Sequence, residues 1–244
     1  MSTIATAAGL PPARKSLVAR FIGALTSPRD TFQNVAAAPK WFGMVATTSV
    51  IVALFTALPM MSDAGRQAAI DKNEQQMKSL GFEVNDQMHE RMEAGAARMP
   101  YMTGISVLLV TPIFGLILAG ILFAVFNAAL GGEASFKQVF AVQAHAGAVS
   151  ALGAIFTGII NYFRASMDSV TSLGSLVPML PEHSFGASLL GAIDVFLIWY
   201  IIVLSIGLGV LYRRRTQPIA ISLFSVYAVV AMVIAVIKSR AGGA

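Results

Sequence analysis

Met99–Gly132 reads MPYMTGISVLLVTPIFGLILAGILFAVFNAALGG and contains no acidic or basic side chain. A hydrocarbon core of about 30 Å needs roughly 20 apolar helical residues, so this stretch alone can cross a bilayer. Backbone N–H and C=O groups in lipid must find partners within the segment, which makes a helix the expected conformation. Four other stretches are nearly free of charge at similar length: Trp41–Ser62, Gln138–Phe163, His183–Tyr212 and Thr216–Ile237. Spans are expected at about 41–61, 102–130, 139–163, 187–212 and 217–237. The fold class that follows is all-α, a polytopic transmembrane helical bundle with five spans plus a short N-terminal amphipathic helix.

Composition agrees. The chain has 244 residues, 56% hydrophobic and 12% charged, whereas soluble domains carry about 25% charged residues. Two regions are expected: a cytoplasmic tail with an interfacial helix over 1–40, and one membrane domain over 41–238 with a polar insert at 63–98. The insert is too short to hold a core of its own. With no cysteine, disulfides and thiolate chemistry are excluded. The formal charge is +5. Its basic residues sit beside hydrophobic spans, which argues against nucleic acid and for a surface facing anionic lipid. Met1–Leu10 lack a basic n-region, so a cleavable signal peptide is not expected and the first span would act as an uncleaved anchor.

Met1–Pro12 are small and polar and read as disordered. Leu17, Val18, Phe21, Ile22 and Leu25 then recur at helical spacing, near Arg14, Lys15 and Arg20. Such a helix either lies in the interface with its apolar face in lipid or packs on the ends of the bundle. Ser27-Pro28-Arg29-Asp30 reads as a helix start, with a cap, a proline in the first turn and an acid at the positive end of the dipole. That helix carries Phe32 and Val35 and stops before Pro39. In the insert, Gly81 separates two helix-like pieces, with Met77, Leu80, Phe82, Met88 and Met92 as apolar surface. These methionines with His89 have a soft-metal alternative, but methionine is more often a gap filler, and no metal is expected.

The second span is interrupted by Pro112. The third carries Ala144, Gly147, Ala148, Ala151, Ala154 and Gly158, several of them three or four apart. Such small-residue faces let helices approach closely in lipid, which makes the third helix the expected centre. Basic residues divide almost evenly between the two sides. Arg213-Arg214-Arg215 decides the orientation, because it occupies a very short loop directly against a span, where the positive-inside rule is strongest. The N-terminus is therefore expected in the cytoplasm and the protein in the cell inner membrane.

Asp194 stands inside the fourth span and His145 inside the third. Intramembrane ionisable groups are costly and face the bundle interior or a wet cavity. The pair is a candidate polar site for proton- or ion-linked transport; the bland reading is helix-to-helix hydrogen bonding. No HExxH, GxSxG or phosphate-binding glycine loop occurs, so neither catalysis nor a cofactor is expected.

Three segments carry a family resemblance. Ser27-Pro28-Arg29-Asp30-Thr31-Phe32, running to Pro39-Lys40-Trp41, resembles the entry segment of bacterial Yip1-domain membrane proteins. Gly131-Gly132-Glu133-Ala134-Ser135-Phe136-Lys137-Gln138-Val139-Phe140 with Ala144-His145-Ala146 resembles that family's connection from second to third span. Asp194-Val195-Phe196-Leu197-Ile198-Trp199 and Ile206-Gly207-Leu208-Gly209 resemble its fourth span. The likeness runs from about Arg14 onward, apart from the 63–98 insert. It implies a five-span bundle with a cytoplasmic N-terminus, that is, location and fold but no settled activity. Eukaryotic relatives are associated with Rab-type GTPases and membrane traffic, a role that is not carried over.

Two functions fit. The first is a non-enzymatic organiser of partner proteins or lipids, with Phe21, Phe32, Arg213, Arg214 and Arg215 facing lipid or a partner. The second is a small transporter or channel using Asp194 and His145. A lipid bilayer, anionic lipid and an unidentified membrane or cytoplasmic protein are the expected partners, and a homo-oligomer is compatible with the sequence.

Overall fold

A computed structural model describes residues 16–79, 81–177, 179–181 and 184–241. The expectations for Met1–Pro12, Arg14, Lys15, Leu80 and His183 lie outside these residues. The described helices are α1 (Leu17–Thr26), α2 (Pro28–Ala37), α3 (Phe42–Ala57), α4 (Asp63–Ser79), α5 (Asp86–Gly95), α6 (Met99–Phe123), α7 (Phe136–Arg164), α8 (Phe185–Gly191), α9 (Val195–Leu211) and α10 (Thr216–Ala241). A 3-10 turn at Leu58–Met61 extends α3, and a π-helical turn at Ala124–Ala129 extends α6. Strands are absent among the described residues; one isolated antiparallel bridge joins Ser172 and Asp194. The fold is a helical membrane bundle.

Helix α7 sits at its centre. Its start is fixed by a capping box, in which Ser135 accepts from the Gln138 N–H and Gln138 accepts from that of Ser135. The same Gln138 donates through Nε2 to the Ala36 carbonyl at 2.9 Å, tying α7 to α2. The small residues of α7 set the approach distances. A Cβ on Gly158 would lie 2.2 Å from the Phe55 carbonyl oxygen, and one on Gly153 would lie 2.8 Å from the Phe196 ring. Here backbone meets neighbour directly, and close contact supplies the dispersion energy that hydrophobicity cannot supply between helices in lipid.

Among the described residues, four helical stretches are long and apolar enough to cross a membrane: Phe42–Met61, Asp86–Ala129, Phe136–Arg164 and Thr216–Ser239. The expected break at Pro112 does not occur; α6 runs through it. Neighbouring helices make a membrane proline tolerable, and the Thr111 hydroxyl donates to the Val107 carbonyl at 2.7 Å one turn earlier.

The fourth hydrophobic stretch departs most from expectation. A continuous helix over 187–212 is replaced by α8, a bend at Ala192–Asp194, and α9. Asp194 heads α9 as its N-cap, accepting from the Leu197 N–H at 2.9 Å. The bend is held from two sides. Leu173 N–H donates to the Ile193 carbonyl and Val195 N–H to that of Thr171. The Tyr227 hydroxyl donates to the Ala192 carbonyl at 2.8 Å and accepts from the Asp194 N–H at 3.0 Å. A carboxylate in a helix interior has few donors near it, whereas at a helix start it meets free amides. The 17 residues of α9 span about 25 Å.

The polar insert forms α4 and α5. The Lys72 ammonium reaches the Asp168 carboxylate at 3.1 Å, which joins the insert to the loop after α7. His89 on α5 bridges Glu74 on α4 and Glu93. Its partners are one carboxylate of α4 and one a turn further along α5, and among the described residues no group of three His, Cys, Asp or Glu is placed to hold a metal.

Candidate functional site

One end of the bundle collects α1, α2, the α6–α7 turn and the α9–α10 turn. Helix α1 starts at Ser16, whose hydroxyl accepts from the Ala19 N–H. It presses Gly23 against Thr31 of α2, where a Cβ would stand 2.3 Å from the Thr31 hydroxyl. Phe21 is half-buried and packs beside Met44, Ala144 and Ala148, while Val18 and Ile22 remain exposed. So α1 lies on the bundle with one flank open.

Phe32 corrects an expectation. It does not face lipid or a partner: it is fully buried. The cause is Gly207 on α9, where a Cβ would come within 3.0 Å of the Phe32 ring. The missing side chain opens a slot, and the aromatic ring fills it.

His145 is also fully buried, under α1. Its Nδ1 lies 2.7 Å from the Ala141 carbonyl, an acceptor only, so Nδ1 carries the proton. Nε2 is then the acceptor that faces the Arg20 guanidinium at 3.4 Å. Arg20 donates as well to the Lys40 carbonyl at 3.0 Å, clasping α1 to the entrance of α3. Asp194 has other company: the Thr171 hydroxyl donates to it, and it caps α9. The two residues expected to form one polar site therefore occupy separate hydrogen-bond sets. Asp194 lines a cavity of about 460 Å³ with Asn161, Thr171 and Asp168, and His145 does not. The Ser166 hydroxyl and Lys72 hold the Asp168 carboxyl below its ordinary range.

The arginine turn is built with unusual geometry. Tyr212 ends α9, the Arg213 N–H donates to the Val210 carbonyl and the Arg214 N–H to that of Gly209. This is a Schellman closure, whose left-handed residue is usually glycine. Here it is Arg213, with φ of 53°. A left-handed non-glycine residue costs about 1 kcal/mol. Arg214 is anchored through Nη2 to the Leu130 carbonyl at 2.7 Å. Below it, the Tyr212 hydroxyl donates to Asn127 Oδ1, and Asn127 Nδ2 donates to the Ala134 carbonyl, both at 2.6 Å. The Tyr212 ring stacks on Phe126 at 5.0 Å. The turn is thus braced against the α6–α7 connection.

Between this turn and the start of α2 lies a cavity of about 640 Å³, lined by Arg29, Gln33, Arg213, Arg214, Arg215 and Gln217 among others. No carboxylate lines it, and no ion pair among the described residues involves any of its four arginines. Sequence reading singled out the triple arginine but missed Arg29 and Gln33. Their only local signal was position in the first turns of α2; partnership with the distant turn depends on α2 docking against α9.

A family model described as the Yip1 domain matches residues 22–237. The membrane protein YknW of Bacillus subtilis (strain 168) is 23% identical over 223 residues, covering 90% of this chain and 91% of that protein. No solved structure matches.

Proposed function

This chain belongs to the Yip1-domain family, and from that premise we propose that it is a non-enzymatic inner-membrane protein that organises lipids or partner proteins at the cytoplasmic face. In this reading residues 1–40 form the cytoplasmic tail, 41–238 form the five-span membrane domain, and α9 with its lead-in α8 is the fourth span. The observation that carries the proposal is the convergence of Arg29, Arg213, Arg214 and Arg215 on one cavity with no carboxylate in its lining. Each cation near an anionic leaflet is favoured by about 1 kcal/mol, and short arginine-rich loops mark the cytoplasmic side. Phe21 and the exposed Val18 and Ile22 on α1 supply apolar contact beside this charge.

Affinity purification in mild detergent, with mass spectrometry of proteins and lipids, tests the reading. Replacing Arg213, Arg214 and Arg215 together by Gln is expected to strip anionic lipid or a defined partner from the purified protein. Unchanged recovery of both counts against it.

A second reading, a small transporter or channel, draws support from one feature. The cavity at Asp194 shares Thr56, Ser150 and Leu197 with a neighbouring cleft of about 550 Å³ that reaches Gln143 and Tyr200. A path along this line would use Asp194 and leave His145 aside. Water accessibility of cysteines placed at positions 150 and 143 tests it; reaction at 150 without 143 would reject a continuous path.

A further inference from the structure

We propose that the cavity between α2 and the α9–α10 turn is a binding site for a phosphate monoester carried on a lipid headgroup. The inference rests on the reading of this end as the working face and names the ligand it takes.

Four arginines line it without a carboxylate among the lining residues. Guanidinium is the side chain that matches phosphate oxygens with paired donors, and it stays charged at any physiological pH. Arg214 is held in place by Leu130 and by the braced turn beneath it, so at least one donor group is positioned before a ligand arrives. Gln33 of α2 and Gln217 of α10 add neutral donors to the lining. The site also faces two helix starts. α2 begins at Pro28 and carries Asp30 in its first turn, outside the cavity lining, and the 26-residue α10 begins at Thr216 with no acidic residue in its first turn. Both present the positive end of a helix dipole to the same volume.

Arg213 supplies an independent indication. Glycine would close the turn without strain, yet an arginine holds the left-handed position. Strained backbone that persists in a fold points to a role for the side chain. A terminal phosphate offers three unesterified oxygens and up to two charges, which suits four arginines better than the single charge of a phosphodiester. The cavity volume of about 640 Å³ leaves room for a headgroup around the phosphate.

The test uses the full chain in nanodiscs of neutral phosphatidylcholine, and of phosphatidylcholine with phosphatidic acid or phosphatidylglycerol at matched surface charge. Phosphorus NMR of the phosphatidic acid resonance and thermal stability of the protein are read in each. Phosphatidic acid is expected to show a bound resonance and to raise the melting temperature more than phosphatidylglycerol does. Arg29→Gln and Arg213→Gly are each expected to weaken binding about tenfold, the loss of one charge-assisted hydrogen bond. Arg213→Gly relieves the turn, so it lowers binding without lowering stability in neutral nanodiscs. Inorganic phosphate titrated into the phosphatidic acid nanodiscs separates the sources: displacement of the bound resonance only at large excess supports a lipid-borne ligand, and displacement at equal concentration overturns the lipid assignment. Equal response to the two anionic lipids overturns the site itself. If the site fails while anionic lipid or a partner still co-purifies in an arginine-dependent way, the broader functional reading stands.

Discussion

Helices α7 and α10 are both apolar enough to cross a membrane, yet 61% of the most apolar stretch of α7 is buried and only 17% of that of α10. The difference is one of size. α7 presents Ala144, Ala148, Ala151, Gly153 and Gly158 to its neighbours, all buried. α10 turns Val226, Val229, Val230 and Ile237 outward. Lipid tails are as apolar as these side chains, so nothing draws a bulky helix inward, whereas a small-residue face gains contact only against another helix. Hydropathy places both segments in oil, and side-chain volume then decides which becomes the centre.

The sharpest way to break this comparison is at the aromatic residues. Phe32→Ala empties a fully buried slot against Gly207 and is expected to cost about 3–5 kcal/mol. Phe114→Ala, at a position 65% exposed on the outer face of α6, is expected to change stability by less than about 0.5 kcal/mol. Unfolding equilibria in detergent by steric trapping measure both; equal losses would refute a division between packed centre and lipid-facing shell.

Glycines sharpen the same point at one methyl group. A Cβ at Gly158 meets the Phe55 carbonyl oxygen, while a Cβ at Gly120 meets nothing within 4 Å. Gly158→Ala is expected to destabilise by about 1–3 kcal/mol. Gly120→Ala is expected to stabilise by up to about 1 kcal/mol, since alanine is the better helix former. The same unfolding assay should show opposite signs.

A smaller effect is expected where α10 does make a specific contact. Tyr227→Phe removes the hydroxyl that satisfies both the Ala192 carbonyl and the Asp194 N–H, for a loss of about 1 kcal/mol. Hydrogen exchange at residues 192–195 should accelerate while α7 amides stay protected. Uniform acceleration would mean that Tyr227 supports the whole bundle and not the bend alone.

The smallest effect lies outside the membrane. The hydrogen bond that His89 donates to the Glu74 carboxylate raises the His89 pKa above its ordinary 6.5, and the same bond lowers that of Glu74 below 4.5. The histidine contribution is complete below about pH 6.5 and fades as pH rises through the raised value. The glutamate contribution is complete above about pH 4.5 and fades as pH falls through the lowered value. Exchange of α5 amides, corrected for intrinsic rates, should therefore be slowest between these limits and rise on either side. A flat profile would show that the contact does not hold α5 on α4.

Much of this was legible in the residues, but unevenly. The apolar stretches, the small-residue face of α7 and the arginine turn each depend on a segment's own chemistry. Phe32 was misleading because it follows Ser27-Pro28-Arg29-Asp30, a polar surface-like start, and only Gly207 shows that its ring is enclosed. Asp194 was misleading for the opposite reason: its neighbours Ile193 and Val195 are apolar, so it read as a helix-interior charge. The bend that makes it a cap requires Thr171, Leu173 and Tyr227, all distant in the chain.

Sequence alone determined that this is a bundle of helices in lipid, because solvent selects each segment residue by residue and a buried backbone has to satisfy itself locally. Only the tertiary structure decided that Asp194 and His145 lie apart, that Phe32 is enclosed and that Arg29 joins the arginine turn. Those outcomes depend on which surfaces fit together. Shape complementarity is a property of pairs of segments, and neither member carries it by itself.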